Sequence, residues 1–557
     1  MTRSYKSEYQ SHPIYERMVA PGPKRILALD GGGIRGALTL GYLEAIERLL
    51  RSRFEDETYT LSQYYDLIGG TSTGAIIATL LASGWSVKRI KELYLELGSK
   101  IFANKIAPWI PGKLRFLLLS ANYSERALEE ELEKQLGKMV LGSEKLKSGL
   151  CIVTRRADDY GTYTFSNHPG SPYYEFNKGI LLSDIVRASS AAPTFFKSKI
   201  IQFGDDEKGI FVDGGVSSAN NPALNLFMIA TMEQYGYNWH MGKQELLITS
   251  IGTGSYRPKI QMKAMQSMLK RKSIAWAPEL PNLFMADAAS LNHNLLEYLA
   301  DPTLSKHVGH HDVDSKTNFS KGAFTYHRYD VALSKNSLQQ LSLQVSDAEL
   351  RSLREMDHGQ NAEKLYKIGA SASEKQVMAK QFPAIFNWTK ERLEEKAMSA
   401  STFHDKIVGY MKNHGIPYRK TRFVIAKEAE GGEQITTLVD RQIETKNIAK
   451  SGDFIVHNQT SDAESYIVQK AEFHQRYDLV RTLPDGQGEY APKLTVFAVQ
   501  LTRDALKEMG LPKHFLFTAP WGEQQYARLN DYIICKEDYT NIYRASLRMF
   551  SETYSPI

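Results

Sequence analysis

Cysteine is nearly absent: Cys151 and Cys535 are the only two in 557 residues, and no C-x-x-C pair occurs. That excludes a disulfide framework and a cysteine-ligated zinc site, and a reducing compartment is the simplest setting. Long apolar runs are missing as well. The N-terminus, MTRSYKSEYQSHPIYERM, has no apolar signal-peptide core, and no run approaches the roughly 18 apolar residues of a membrane-spanning helix. Nor does one sign of charge dominate. A formal net charge of +6 over the whole chain is not the footprint of a nucleic-acid binder, although it is compatible with an anionic membrane surface. These absences together point to a cytoplasmic protein, soluble or peripheral at the inner membrane.

What is present is a globular composition, 42% hydrophobic and 24% charged. The length implies roughly two to four domains. From Arg25 the chain alternates strand (RILALD), glycine turn, helix (ALTLGYLEAIERLL), strand (YYDLIGG), turn and helix (AIIATLLASG). Such alternation implies an α/β class with a mainly parallel sheet. Further strands are expected at 149–156, 210–215 and 245–254, helices at 124–136 and 222–234, and insertions or helices at 259–320. After about 410 short β-type runs take over (RFVIAK, GDFIVHN, SYIVQK, KLTVFAVQL, NDYIICK). Within them, 452–480 parallels 530–557, with Phe473 and Tyr477 echoed by Phe550 and Tyr554, the mark of a duplicated unit.

The first turn, LDGGGIRGALTLGYLEAI at 29–46, places Gly31, Gly33 and Gly36 in a G-x-G-x-x-G spacing that usually signals a dinucleotide site. A dinucleotide fold also needs an acidic residue about twenty positions on, to hold the ribose. Here a basic helix end, RLLRSRFEDE, follows instead. The second turn, GGTSTG, supplies another reading: Gly70-Thr71-Ser72-Thr73-Gly74 is G-x-S-x-G between a strand and a helix, the setting of a nucleophile elbow. Gly70 and Gly74 provide the small flanks such a turn requires, and the helix points its positive end at Ser72. The backbone N–H groups of Gly31, Gly32 and Gly33 are then better read as an oxyanion hole than as a pyrophosphate cradle. A serine hydroxyl needs a proton acceptor. IFVDGGV offers Asp213 at a strand end, freed to bend by Gly214 and Gly215, although Asp-Gly is also an ordinary turn.

D-G-G-G-I-R-G, G-T-S-T-G and D-G-G, in this order, resemble the patatin-like phospholipase family over roughly 25 to 335, with RASSAAPTFF (187–196) and LLITSIGTG (246–254) as further similar segments. The resemblance implies a three-layer α/β/α domain and a lipid acyl hydrolase of phospholipase A or lysophospholipase type. Ser72 is then the nucleophile, Asp213 its base in a two-residue dyad, and Gly31 to Gly33 the oxyanion hole. It implies no cofactor and no metal, and membrane phospholipid or another acyl lipid as partner. An aspartate, ordinarily near about 3.9, can serve as base only if burial raises its basicity. Arg35, beside the glycines, is either structural or a contact for a headgroup phosphate.

Two other readings stay open. His327, in TYHRYDV, would complete the Ser, Asp, His order of an α/β-hydrolase carboxylesterase. A nucleotide-sensing C-terminal module that switches a lipase on is the other. Candidate interfacial or lid stretches are 101–120, with Phe102, Trp109 and Phe116 among Lys105, Lys113 and Arg115, and 262–276, where methionines flank Lys270, Arg271 and Lys272. SGDFIV at 451–456 faintly resembles PGDYG-type modules. The expected organisation is a polar segment at 1–22, the patatin-like domain at 23–335, a helical extension or linker at 336–410, and a smaller β-rich accessory module at 411–557.

Overall fold

The computed structural model describes residues 13–20, 22–101, 126–193, 195–203, 207–256, 280–301, 322–387, 400–439, 442–459, 465–484, 486–493, 495–511, 514–518, 524–539 and 542–557. These fall into two compact units, Pro23–Asn387 with Met1–Met18, and Trp388–Ile557 with Val19–Gly22.

In the first unit the apolar run expected at 25–30 forms β1 (Lys24–Leu29), an interior strand of an eight-stranded sheet. With β2 (Leu67–Thr71), β3 (Gly149–Arg156), β4 (Thr162–Ser166), β5 (Lys199–Phe203), β6 (Glu207–Asp213), β7 (Leu246–Ile251) and β8 (Thr325–Tyr329), the order is β5-β6-β3-β2-β1-β7-β8, and β4 pairs with β3. β3, β2, β1, β7 and β8 run parallel, with Leu27 opposite Ile68 on one side and Thr249 on the other. β4, β5 and β6 add an antiparallel flank, which sets Asp213 opposite Thr154. Every residue of β1, β2 and β7 is buried, so helices cover both faces, as continuous apolar strands require.

Helices that matter below are α1 (Gly36–Phe54), α2 (Thr73–Ala82), α3 (Val87–Ile101), α4 (Arg126–Leu136), α5 (Leu182–Ser189), α6 (Ala223–Thr231), α7 (Leu280–Leu299) and α8 (Ala362–Gln376). The interval read as an extension or linker, 336–410, therefore contributes to the first unit as far as Asn387. Its α8 lies against α1 with Gly41 and Gly369 at the crossing, where a Cβ on either would strike the other helix's backbone. Of the interval 259–320, α7 is described; the stretch 262–276 and nearly all of 101–120 lie outside the described residues.

The second unit is built from β9 (Ile416–Lys420), β10 (Val424–Glu428), β11 (Gln434–Val439), β12 (Gln442–Ile448), β13 (Phe454–Asn458), β14 (Ser465–Val468), β15 (Tyr477–Thr482), β16 (Gly488–Pro492), β17 (Thr495–Gln500), β18 (His514–Thr518), β19 (Gln524–Arg528), β20 (Tyr532–Cys535), β21 (Tyr543–Ala545) and β22 (Tyr554–Pro556). Two five-stranded antiparallel sheets, β14-β13-β10-β16-β15 and β21-β20-β17-β9-β22, carry matching strands in matching places. β9, the strand before β10 in the chain, lies in the second sheet, and β16, the strand before β17, lies in the first. Each half thus lends its leading strand to the other.

Their cores match ring for ring. Phe454 stacks on Phe473 at 4.0 Å and 3°, and Tyr532 on Phe550 at 3.8 Å and 6°. Phe473 meets Tyr490 edge-on at 4.7 Å, as Phe550 meets Tyr418 at 4.8 Å. The hydroxyls of Tyr466 and Tyr477 are 2.9 Å apart, and those of Tyr543 and Tyr554 are 2.8 Å apart. Lys420 of β9 donates to Tyr477 at 2.9 Å and to Tyr466 at 3.2 Å, which ties one sheet to the other. Phe473 and Phe550 are both buried, so Phe473→Ala and Phe550→Ala should each cost about 3–5 kcal/mol. Denaturant unfolding of the second unit's transition in the full chain checks this; a large loss for one and none for the other would contradict the equivalence.

Candidate active site

β2 ends at Thr71, α2 begins at Thr73, and Ser72 between them takes φ 55° and ψ −122°. That left-handed conformation is rare for a residue with a side chain and is kept only where the surroundings enforce it. The surroundings here are backbone: a Cβ on Gly70 would strike the Gly74 carbonyl, and one on Gly74 the Leu29 carbonyl at the end of β1. Ser72 N–H donates to Ser189 Oγ at 2.9 Å, and that hydroxyl donates to the Val153 carbonyl of β3 at 2.6 Å. Thr71 Oγ1 donates to the Ala219 carbonyl at 2.7 Å. The turn is held from both sides, and its serine oxygen faces the antiparallel flank of the sheet.

There Ser72 Oγ donates to Asp213 Oδ2 at 2.7 Å, across 141 positions of sequence. The other oxygen of Asp213, Oδ1, accepts from Gly215 N–H at 2.6 Å. Gly214 takes the chain around so close to β3 that a Cβ would strike the Val153 carbonyl. Burial pushes the Asp213 carboxyl up to about 6, against the opposing pull of its hydrogen bonds from Ser72 and Gly215. A carboxylate in that state accepts a hydroxyl proton more readily than an exposed one.

The glycine turn comes down beside Ser72. Its amides are not equivalent: Gly31 N–H is already given to the Asn220 carbonyl at 3.1 Å, Ile34 N–H to Met356 at 2.9 Å and Arg35 N–H to Gly32 at 3.2 Å. The expectation that Gly31, Gly32 and Gly33 all offer their amides to an oxyanion does not hold for Gly31, whose amide is bonded to the Asn220 carbonyl and fixes the turn. Gly33 has φ 58°. Its carbonyl accepts from Tyr94 of α3 at 2.5 Å, and Tyr94's hydroxyl also lies 2.5 Å from Thr73 Oγ1, joining the glycine turn to the first residue of α2. The missing side chain of Gly36 makes room for that pair.

Behind the turn Asp30 accepts from both terminal nitrogens of Arg328 at 2.8 and 2.6 Å, and Arg328 also reaches Ser250 Oγ at 2.7 Å. Arg35 does not reach the serine pocket. Its Nη1 donates to the Gly254 carbonyl at 3.2 Å and its Nε to Gly32 at 3.4 Å, so it braces the turn against the loop after β7. Burial lowers its guanidinium from the usual value.

His327 is not brought to Ser72 either. It sits inside β8, separated from β2 by β7 and β1, buried against Tyr329 and Phe382, and burial pushes its imidazole down to about 4. Asp213 meets the serine with no imidazole between. Among the described residues no group of three or more His, Cys, Asp or Glu is placed to hold a metal ion. Above Ser72 opens a pocket lined by Gly32, Gly33 and Asp213 and, on its apolar sides, by Ile76, Phe195 and Met356 among others.

Ser189, Tyr94 and Asn220 belong to this constellation and were not singled out in the sequence. Ser189 lay within RASSAAPTFF, noted as a segment with no role for its serines. Nothing in the local pattern of α3 marks Tyr94, and Asn220 acts through its carbonyl, which has no sequence signature.

Residues 27–227 match the model of the patatin-like phospholipase family. The chain is 30% identical over 229 residues to a cGAMP-activated phospholipase of Escherichia coli, covering 41% of this chain and 62% of that protein. It is also 30% identical over 284 residues to patatin-like protein 2 of Arabidopsis thaliana, 46% of this chain and 64% of that one. It thus spans less than two thirds of either relative. Among solved structures, human GIVD cytosolic phospholipase A2 overlaps 66% of this chain and 59% of its own, at 12% identity and a TM-score of 0.31.

Removing the Ser189 hydroxyl would leave Ser72 N–H and the Val153 carbonyl unpaired in a buried place. Ser189→Ala should destabilise the first unit by about 1–3 kcal/mol, read from its denaturation midpoint; a neutral substitution would mean that neither group depends on Ser189.

Proposed function

We infer, from the premise that residues 27–227 are a patatin-like phospholipase domain, that the protein hydrolyses acyl esters of membrane lipids. The observation that carries this reading is the 2.7 Å hydrogen bond from Ser72 Oγ to a buried Asp213, at the floor of a pocket with apolar walls. Ser72 Oγ attacks the ester carbonyl as Asp213 takes its proton. The amides of Gly32 and Gly33, with the positive end of α2, hold the oxyanion. Collapse of the tetrahedral intermediate expels the alcohol, protonated from Asp213, and leaves an acyl-enzyme. Asp213 then takes a proton from water, whose oxygen attacks the acyl carbon, and the fatty acid leaves as Ser72 recovers its hydrogen.

Membrane lipid as substrate is supported by the family and by the apolar pocket. No helix among the described residues is long and apolar enough to cross a membrane. Peripheral membrane contact by 101–120 or 262–276 is proposed on the amphipathic composition of those stretches. The second unit is assigned an accessory role, its matching halves being the product of duplication. A second reading, hydrolysis switched on by a cyclic dinucleotide, is favoured by the activation named for the Escherichia coli relatives.

Fatty-acid release from mixed phospholipid vesicles, with fluorophosphonate labelling, tests both. Wild type should release acid and label. Ser72→Ala should do neither, and Asp213→Asn should lose about 10²–10⁴-fold in rate. Release only after cyclic dinucleotide is added would establish the second reading. A Ser72→Ala protein that still labels and hydrolyses would overturn the assignment.

A further inference from the structure

Two asparagines stand side by side between Asp213 and α6, and the fold uses them differently. Asn221 is buried, and its Oδ1 accepts from Ala223 N–H at 3.0 Å and from Ser250 Oγ at 3.2 Å, so its side chain holds the loop together. The Asn220 side chain is half-buried and lines the pocket above Ser72. Among the described residues it makes no hydrogen bond to the protein.

The backbone that carries Asn220 is fixed on three sides. The Ala219 carbonyl accepts from Thr71 Oγ1 at 2.7 Å and the Asn220 carbonyl from Gly31 N–H at 3.1 Å, which ties successive peptides to the end of β2 and to the glycine turn. Ser217 Oγ accepts from Ala219 N–H at 3.0 Å and donates to the Gly214 carbonyl at 2.6 Å, which ties the same loop to the turn after Asp213. The side chain therefore starts from a set position.

Two glycines locate its far end. A Cβ on Gly31 would lie 2.5 Å from Asn220 Oδ1 and 3.2 Å from Ser72 Cβ, and one on Gly215 would lie 2.9 Å from Asn220 Oδ1 and 2.9 Å from Asp213 Oδ1. The carboxamide thus stands beside both members of the Ser72–Asp213 pair, in space that a side chain at 31 or 215 would take from it. Asp213 already supplies acceptors there. What an ester oxygen gaining negative charge requires is donors. The carboxamide carries two on Nδ2, and a half-turn about its last side-chain bond exchanges Oδ1 and Nδ2 within the same planar outline.

We propose that Asn220 is a further oxyanion donor, its Nδ2–H directed at the same ester oxygen as the amides of Gly32 and Gly33. This rests on the hydrolase reading of Ser72. Turning to the oxyanion breaks no bond to the protein, and the bond strengthens as charge develops, so its effect falls on kcat rather than on KM.

Replacing the reacting carbonyl oxygen by sulfur, a weaker acceptor, isolates that bond. On p-nitrophenyl butanoate, Asn220→Ala should lower kcat about 10²-fold with little change in KM. On the thiono analogue of the same ester the loss should be smaller, so the ester-to-thionoester ratio of kcat/KM should fall at least about fivefold. Asn221→Ala, which removes only a structural carboxamide, should destabilise the first unit and leave the ratio as in wild type. Because the ratio is internal to each protein, reduced folding yield does not move it. A smaller fall of the ratio in Asn220→Ala, or an equal fall in Asn221→Ala, would overturn the donor while leaving the hydrolase reading intact. Wild type that hydrolyses neither ester and takes no fluorophosphonate at Ser72 would overturn the hydrolase reading itself, and the donor with it.

Discussion

Ser72 holds a backbone conformation that costs a non-glycine residue on the order of 1–3 kcal/mol, and the rest of the site depends on that one torsion, φ 55°. With ordinary torsions β2 would run on or turn into α2 more gently, and Oγ would not lie within 2.7 Å of Asp213. The constraint is met by packing. β1, β2 and α2 approach so closely that only hydrogen fits at positions 70 and 74, and Ser189 takes the serine's own amide. Strain stored at one residue is offset by contacts spread over three elements.

The same economy accounts for the placement of Asp213, the proposed proton acceptor. Asp213 ends an antiparallel strand laid beside β3, a placement that buries its carboxyl while leaving two donors, Ser72 and Gly215, to satisfy it. Burial raises its basicity, and the hydrogen bonds keep it from rising further. On the other side of Ser72 the glycine turn is anchored three ways: by Asp30 on Arg328, by Gly31 on the Asn220 carbonyl, and by Tyr94 on the Gly33 carbonyl. The proposed oxyanion donors would thus be fixed before any substrate arrives, which is what makes such donors effective.

Much of this was legible in the sequence because it is local. Strand, glycine turn and helix at 25–54, the elbow around Ser72, and the strand ending at Asp213 each announce themselves within a few residues, and the resemblance they supported is borne out over 27–227. What escaped depends on contacts between distant segments. The antiparallel pairing of β6 on β3 cannot be read from IFVDGG. Tyr94 meets Gly33 from 61 positions away, and a carbonyl such as that of Asn220 carries no side-chain signature. Position alone leaves Arg35 open between a structural role and a headgroup contact, and only the fold shows it turned to the backbone carbonyls of Gly32 and Gly254. In the second unit the echo of Phe473 and Tyr477 in Phe550 and Tyr554 was visible because aromatic anchors recur at fixed offsets. The exchange of β9 and β16 was not, since a strand's sequence does not say which of two like sheets it joins.

The central claim is that a buried aspartate, and no histidine, accepts the proton of Ser72. The pH dependence of the second-order rate of fluorophosphonate capture by the full-length protein tests it most directly, since that rate reports the free enzyme's ionisation. An ionised Asp213 is the competent form, so the rate should rise with pH through a midpoint near about 6, and the rise should vanish in Asp213→Asn while persisting in His327→Ala. A rate that is flat from pH 4 to 8, or a rise that disappears in His327→Ala instead, would contradict it.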